Sequence, residues 1–200
     1  ILSIADCVYY LHRAGKLHLC INPDMVLVRF DKQGIPRATL LDLGVADPGN
    51  TIYELWNENY NLPAYTAPEI ADGRSGVGPA TDVYGLGTLL YEMLAGHPPY
   101  EFHLKKDPTV LKNVQGGEFK TTGRIDLKNI PEIAEKSITR VYDHRFTDVL
   151  AFVNALQPNF PPIPAEKRSF HINWQVLFIV LGALLVISLL LILALSMVPG

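Results

Sequence analysis

The sequence predicts a mainly α-helical domain with one small β-hairpin, followed by a single transmembrane helix. Three observations predict it. The run "TDVYGLGTLLYEMLAG" is helix-length and apolar around most of its circumference, as suits a helix enclosed by others. "VLVRF" and "RATLLDLG" flank the Gly-closed turn "DKQG", which reads as a hairpin. From Ile172 to Gly200 there is no charged residue.

Along the chain, "ILSIADCVYYLHRAG" places Ile1, Ile4, Ala5, Val8 and Leu11 on one helical face and ends at Gly15, a helix-terminating cap. The hairpin follows, with alternation in its first strand. Residues 45–68 have no sustained period and read as a long loop. After Pro79 comes the apolar helix, capped near Thr81 and stopped by Gly96 and Pro98-Pro99. Its apolar residues are Val83, Leu86, Leu89, Leu90 and Met93. Two more helices are expected, Pro131–Val141 and Thr147–Leu156. "QPNFPPIPAEKR" opens a Pro-rich juxtamembrane linker, 157–171.

The transmembrane helix is placed at 172–198. Its core, Trp174–Val198, is nearly all Leu, Ile, Val and Ala. As a helix it is about 37 Å long, enough for a hydrocarbon core of about 30 Å. Its position late in the chain separates it from a signal peptide. Lys167 and Arg168 precede the span and no Lys or Arg follows it, so the positive-inside rule puts the preceding domain in the cytoplasm. The chain opens inside a helix and ends just past the span, and is expected to be a piece of a longer protein.

Composition excludes some classes. The chain has 17 Lys and Arg against 20 Asp and Glu, net charge −3. Without a basic stripe there is no case for nucleic acid. Cys7 and Cys20 make neither a disulfide framework nor a metal spacing, and read as two buried thiols in a reducing compartment. His12, His97, His103 and His144 are scattered without ligand spacing and are assigned to surface or loop positions.

Several short motifs succeed one another in a fixed order. They are "HLCINPDMVLV" (His18–Val28), "DLG" (Asp42–Gly44), "PAYTAPE" ending in Ala67-Pro68-Glu69, Asp82 with Gly87, and Arg145. In this succession, residues 1–156 resemble the C-terminal lobe of protein kinases, and "YGLGTLLYEMLAGHPPY" gives it the flavour of bacterial Ser/Thr kinases. The family's N-terminal lobe, with its Gly-rich loop and phosphate-binding Lys, is absent from this chain.

The resemblance implies a role for each matching position, and phosphoryl transfer is mostly positioning and charge neutralisation. The catalytic-loop Asp, which takes the substrate hydroxyl proton, is here Cys20. The loop Lys that steadies the phosphate is Asn22. The loop Asn that holds a magnesium is Met25, a soft thioether where magnesium wants hard oxygen. Leu19 replaces the loop Arg, and Leu62 the Thr that bridges catalytic Asp and Lys. By contrast His18, Glu69, Asp82 and Arg145 remain as scaffold. Glu69 and Arg145 are expected to form a buried pair, and Asp82 to accept backbone N–H groups at His18 and Leu19. Asp42 remains too, either as a weak magnesium ligand or as an acceptor for backbone donors. Leu27 is either the floor under an adenine ring or plain core. Thr51, Tyr53 and Thr66 lie in the activation segment, as phosphoacceptors or as solvated hydroxyls.

The expected function is a membrane-anchored, catalytically impaired pseudokinase acting as a regulatory or scaffold module. It would bind ATP weakly, with little or no magnesium, and its partner would be another protein, such as a kinase or a second copy of itself. The competing reading is an atypical active Ser/Thr kinase that transfers the ATP γ-phosphate using another base, such as Asp24. A third is a remnant without function, but drift should have damaged the frame as well as the chemistry.

Overall fold

The helix α1 (Leu2–Arg13) shows how the sequence sets the approach to His18. Ile4, Ala5 and Val8 are buried on its inner face. Its end is a two-bond wrap: Gly15 N–H donates to His12 O (2.9 Å) and Lys16 N–H to Leu11 O (3.1 Å). Gly15 sits at φ +73°, a conformation that a side chain disfavours, so a glycine belongs there. This reversal delivers the chain to His18. A computed structural model describes residues 1–41, 62–73, 76–100 and 109–160 of the chain.

Strands β1 (Val26–Phe30) and β2 (Pro36–Leu40) pair antiparallel, with Val28 opposite Ala38. Asp31 organises the turn between them. Its Oδ1 accepts the N–H groups of Gln33 and Ile35, both at 2.9 Å, and its Oδ2 accepts from Arg37 Nε at 3.1 Å. These bonds, the backbone one from Ile35 foremost, lower the Asp31 carboxyl below its ordinary value. The alternation in "VLVRF" does not produce a buried face, because Val28 and Phe30 are 51% and 72% exposed. Only Val26, Ala38 and Leu40 of the hairpin pack against the core.

The expected loop at 45–68 contains structure at its end. A 3-10 turn, Pro63–Tyr65, leads into a one-turn helix, α2 (Pro68–Ala71). Two successive prolines at helix N-termini explain why no apolar period announced them. Residues 42–61 lie outside the described residues.

Helix α3 (Pro79–Ala95) is the centre of the domain. Every residue from Ala80 to Tyr91 is buried, and helices of the domain pack around it. Met93 is an exception to the expected apolar wrap: at 66% exposed it faces outward. The helix begins two residues before Thr81, with Gly78 as cap and Pro79 in the first turn. Thr81 is instead the third helical residue, and its Oγ1 accepts the Gly78 N–H at 3.1 Å. Gly85 and Gly87 permit close approach: a Cβ on Gly87 would land on Ser137 Cβ, and one on Gly85 would lie 2.8 Å from Ile21 Cβ.

Among the described residues three further α-helices follow, where two were expected before the linker. The unexpected one is α4 (Thr109–Gly116), held by Val110 and Val114. Next, α5 (Ile130–Ser137) stops four residues before the expected Val141, and the chain then makes a 3-10 turn at Tyr142–His144. The stop has a cause, because the carbonyls of Thr139 and Arg140 turn inward to the Arg145 guanidinium. Last, α6 (Val149–Leu156) starts at an Asp148 cap whose Oδ1 accepts the Ala151 N–H at 2.8 Å. Among the described residues no helix is long and apolar enough to cross a membrane. The stretch 172–198 and most of the linker lie outside them.

Candidate functional site

The loop His18–Met25 is held from beneath by α3. Asp82, 1% exposed, accepts the His18 N–H at 2.8 Å on Oδ2 and the Leu19 N–H at 2.7 Å on Oδ1. Leu19 has φ +58°, a strained conformation for a branched residue, and one that survives only when surroundings over-determine it. The paired N–H bonds to one buried carboxylate are such a constraint.

A third group reaches the same carboxylate. His12 Nε2 lies 2.7 Å from Asp82 Oδ2, with the His12 side chain only 12% exposed. The surface assignment of His12 is therefore corrected: it stands in the last turn of α1, and Gly15 folds the chain back so that His12 and His18 flank one acid. The signal was a histidine one turn before a helix-ending glycine, six residues ahead of the loop. His97 and His144 are exposed, and His103 lies outside the described residues.

His18 links the loop to the strand end. Its Nε2 lies 3.0 Å from Leu41 O, and its Nδ1 accepts the Cys20 N–H at 3.4 Å. A carbonyl needs a donor and an N–H an acceptor, so the ring carries its proton on Nε2.

The three positions expected to carry phosphotransfer chemistry touch one another. Asn22, 1% exposed, donates from Nδ2 to Cys20 O at 3.3 Å and to Cys20 Sγ at 3.4 Å. Its Oδ1 accepts the Asp24 N–H at 3.0 Å and caps the 3-10 turn Pro23–Met25. The Asn22 amide is thus engaged on both sides within the loop. Met25 is 3% exposed and packs with Cys20 and Leu40. An apolar sulfur cluster occupies this part of the loop.

The buried-thiol expectation needs correcting at both cysteines. Cys7 is exposed and Cys20 half-buried, since Cys7 falls between the inward positions of α1. Of the two readings of Leu27, plain core does not hold, because the residue is 39% exposed. Leu62 is buried, and its carbonyl accepts from Thr66 Oγ1 at 3.1 Å. Asp42, Thr51 and Tyr53 lie outside the described residues.

Glu69 of α2 and Arg145 meet across 76 positions of chain. Arg145 Nη1 and Nη2 donate to the two Glu69 oxygens, each at 2.8 Å. Further donations go to Ala80 O at 3.2 Å, Arg140 O at 3.2 Å and Thr139 O at 2.7 Å. The guanidinium also lies over the Tyr84 ring, 4.9 Å from its centroid. Burial by itself pushes the Glu69 carboxyl up, but the Arg145 fork outweighs it, and the net shift is downward.

Beside the loop, Tyr65 O–H donates to Glu92 Oε2 at 2.8 Å. Burial, then Glu92, then Asp24 raise the Tyr65 phenol far above its ordinary value.

The family uses ATP and magnesium. Met25, which the resemblance places where the family has its metal-holding Asn, is a buried thioether and does not fit a hard cation. Among the described residues there is no group of three His, Cys, Asp or Glu side chains able to hold one.

The chain is similar to several serine/threonine-protein kinases. The chain is 40% identical over 102 residues to serine/threonine-protein kinase PkaA of Streptomyces coelicolor, covering 49% of this chain and 18% of that protein. It is 36% identical over 99 residues to serine/threonine-protein kinase AfsK of the same species, covering 49% and 12%. It is 35% identical over 100 residues to serine/threonine-protein kinase PknK of Mycobacterium bovis, covering 50% and 9%. It thus spans under a fifth of the length of each of these relatives. The protein kinase domain family matches residues 1–151, most of the chain, and with this helical body, its two-stranded sheet and the Asp82-held loop, the chain belongs to that family.

Proposed function

We propose that this chain is the C-terminal lobe of a catalytically impaired protein kinase, anchored in a membrane and acting as a regulatory or scaffold module for another protein. The observation that carries this reading is the loop Cys20–Asn22–Met25. A thiol offers no carboxylate to a substrate hydroxyl. Asn22 spends its amide on the loop itself. Met25 is turned into an apolar cluster. Meanwhile the bonds that shape the loop, those of Asp82 and His18, are all made. Retained shape without its charges suits binding better than catalysis. The opposite reading, an active kinase with Asp24 as its base, draws on relatives that are named serine/threonine-protein kinases.

Nucleotide binding tests the two readings. On the natural full-length protein, ATP is expected to raise the melting temperature slightly, with little dependence on magnesium. Binding stabilises only through affinity for the folded state, and Met25 offers a metal nothing. A large stabilisation that requires magnesium overturns the impaired-site reading.

We read 1–156 as the kinase lobe, 157–171 as linker and 172–198 as the membrane span, with the lobe in the cytoplasm. Single cysteines placed at His171 and Gly200 in a background lacking Cys7 and Cys20 test this. In oriented membranes His171→Cys should react from the cytoplasmic side and Gly200→Cys from the other. Reversed labelling, or labelling of both from one side, defeats the assignment.

A further inference from the structure

A cavity of about 260 Å³ lies between α1 and α6, on a part of the domain that the loop and its supports do not use. Asp6, Tyr9 and Tyr10 line it from α1, and Leu150 and Val153 from α6. Positions i, i+3 and i+4 share a helix face, so α1 presents one carboxylate and two phenol rings together. The ring centroids are 5.7 Å apart and the planes meet at 67°, which makes a corner and not a stack.

The chemistry of this corner selects its occupant. Aromatic faces carry negative potential, so both rings and Asp6 attract positive charge. Leu150 and Val153 offer an apolar floor that attracts methyl and methylene groups. A simple metal cation would gain nothing from that floor. An anion would be repelled by Asp6 and the ring faces. A neutral apolar group would cover Asp6 without pairing it. Among the described lining residues, a cation that carries its own hydrocarbon satisfies all five. Tyr10 and Leu150, 72% and 48% exposed, are open to such a ligand. Arg13 stands one turn on, with Nη1 3.4 Å from the Tyr9 hydroxyl; it lies at the phenol tip and outside the lining.

We propose that this cavity binds an organic cation of the alkylated ammonium class, with its methyl groups on Leu150 and Val153 and its charge against the two tyrosines and Asp6. The proposal is independent of whether the domain transfers phosphate.

The test compares choline with its neutral isostere, 3,3-dimethyl-1-butanol. Each is titrated into the full chain in a maltoside detergent, which lacks ammonium groups, at constant ionic strength. The readout is the methyl NMR shifts of Leu150 and Val153. Choline should saturate, and the alcohol should bind about tenfold more weakly, as loss of a partly desolvated cation–π contact implies. Tyr10→Leu should weaken choline about tenfold, while Tyr10→Phe, which keeps the ring, should retain it. Asp6→Asn should weaken choline severalfold and leave the alcohol unchanged. Equal affinity for choline and the alcohol would mean an apolar cleft only, and overturns the proposal. So does the absence of any saturable shift, or choline binding that survives Tyr10→Leu.

Discussion

Replacing Arg145 by Ala should cost the domain about 3–5 kcal/mol of stability, replacing Glu69 somewhat less, and replacing both less than the sum. The inequality between the single variants follows from the bonding. Arg145→Ala leaves a buried carboxylate, takes the guanidinium donor from the carbonyls of Thr139 and Arg140, and leaves Ala80 O with its helical partner alone. Glu69→Ala leaves a guanidinium that still has those three carbonyls and the Tyr84 ring. A double-mutant cycle of denaturation free energies measures the coupling, and additive losses would show that the 2.8 Å fork contributes nothing beyond its parts. Acid should erase the contribution of the pair. The folded Glu69 carboxyl lies below its ordinary value, so its stabilisation is fully present above that value and is lost as pH falls through the lowered one. In Arg145→Ala the burial that pushes Glu69 up is no longer opposed, and the stranded acid can take a proton. The deficit of that variant relative to wild type should therefore shrink toward acid pH.

The same pair shows why the frame was legible in sequence and its details were not. Glu69 and Arg145 each stood in a recognisable motif, and so did Asp82. Their bonds require geometry but no special local pattern. The central helix was equally legible, since apolar residues on all sides leave it no place except the core. What stayed hidden is set by tertiary demand. The end of α5 is fixed by the need of Arg145 for the carbonyls of Thr139 and Arg140, and nothing in "SITR" signals it. Helix α4 rests on two valines, too few to declare a period. His12 looked incidental because its partner lies 70 residues away. The mutual engagement of Cys20 and Asn22 was similarly invisible. The structure joins the two positions directly, through Asn22 Nδ2 and Cys20 Sγ.

That joining decides what a single repair can do. If the missing base were the only defect, Cys20→Asp should restore phosphoryl transfer, since a general base contributes about 10²–10⁴ in rate. Little or no activity is expected instead. A carboxylate at position 20 would receive an amide hydrogen bond from Asn22 where the family offers a cation. It would sit against the Met25 thioether and Leu40, apolar neighbours that disfavour its charge. Leu62, buried and without a hydroxyl, could not orient it. Groups that act as a unit are strongly non-additive, so restoring one of four should return little of the rate. The measurement is radiolabel transfer from ATP to protein, on the natural full-length chain. Wild type, Cys20→Asp, and the combined Cys20→Asp, Asn22→Lys, Met25→Asn, Leu62→Thr variant are compared. Wild type and the single variant should stay at background, and any recovery should come with the combined one. Robust transfer by wild type would defeat the impaired-kinase reading outright. Robust transfer by Cys20→Asp alone would show that the four substitutions are not coupled, and that the loop which Asp82 and His18 hold in shape needs only its base.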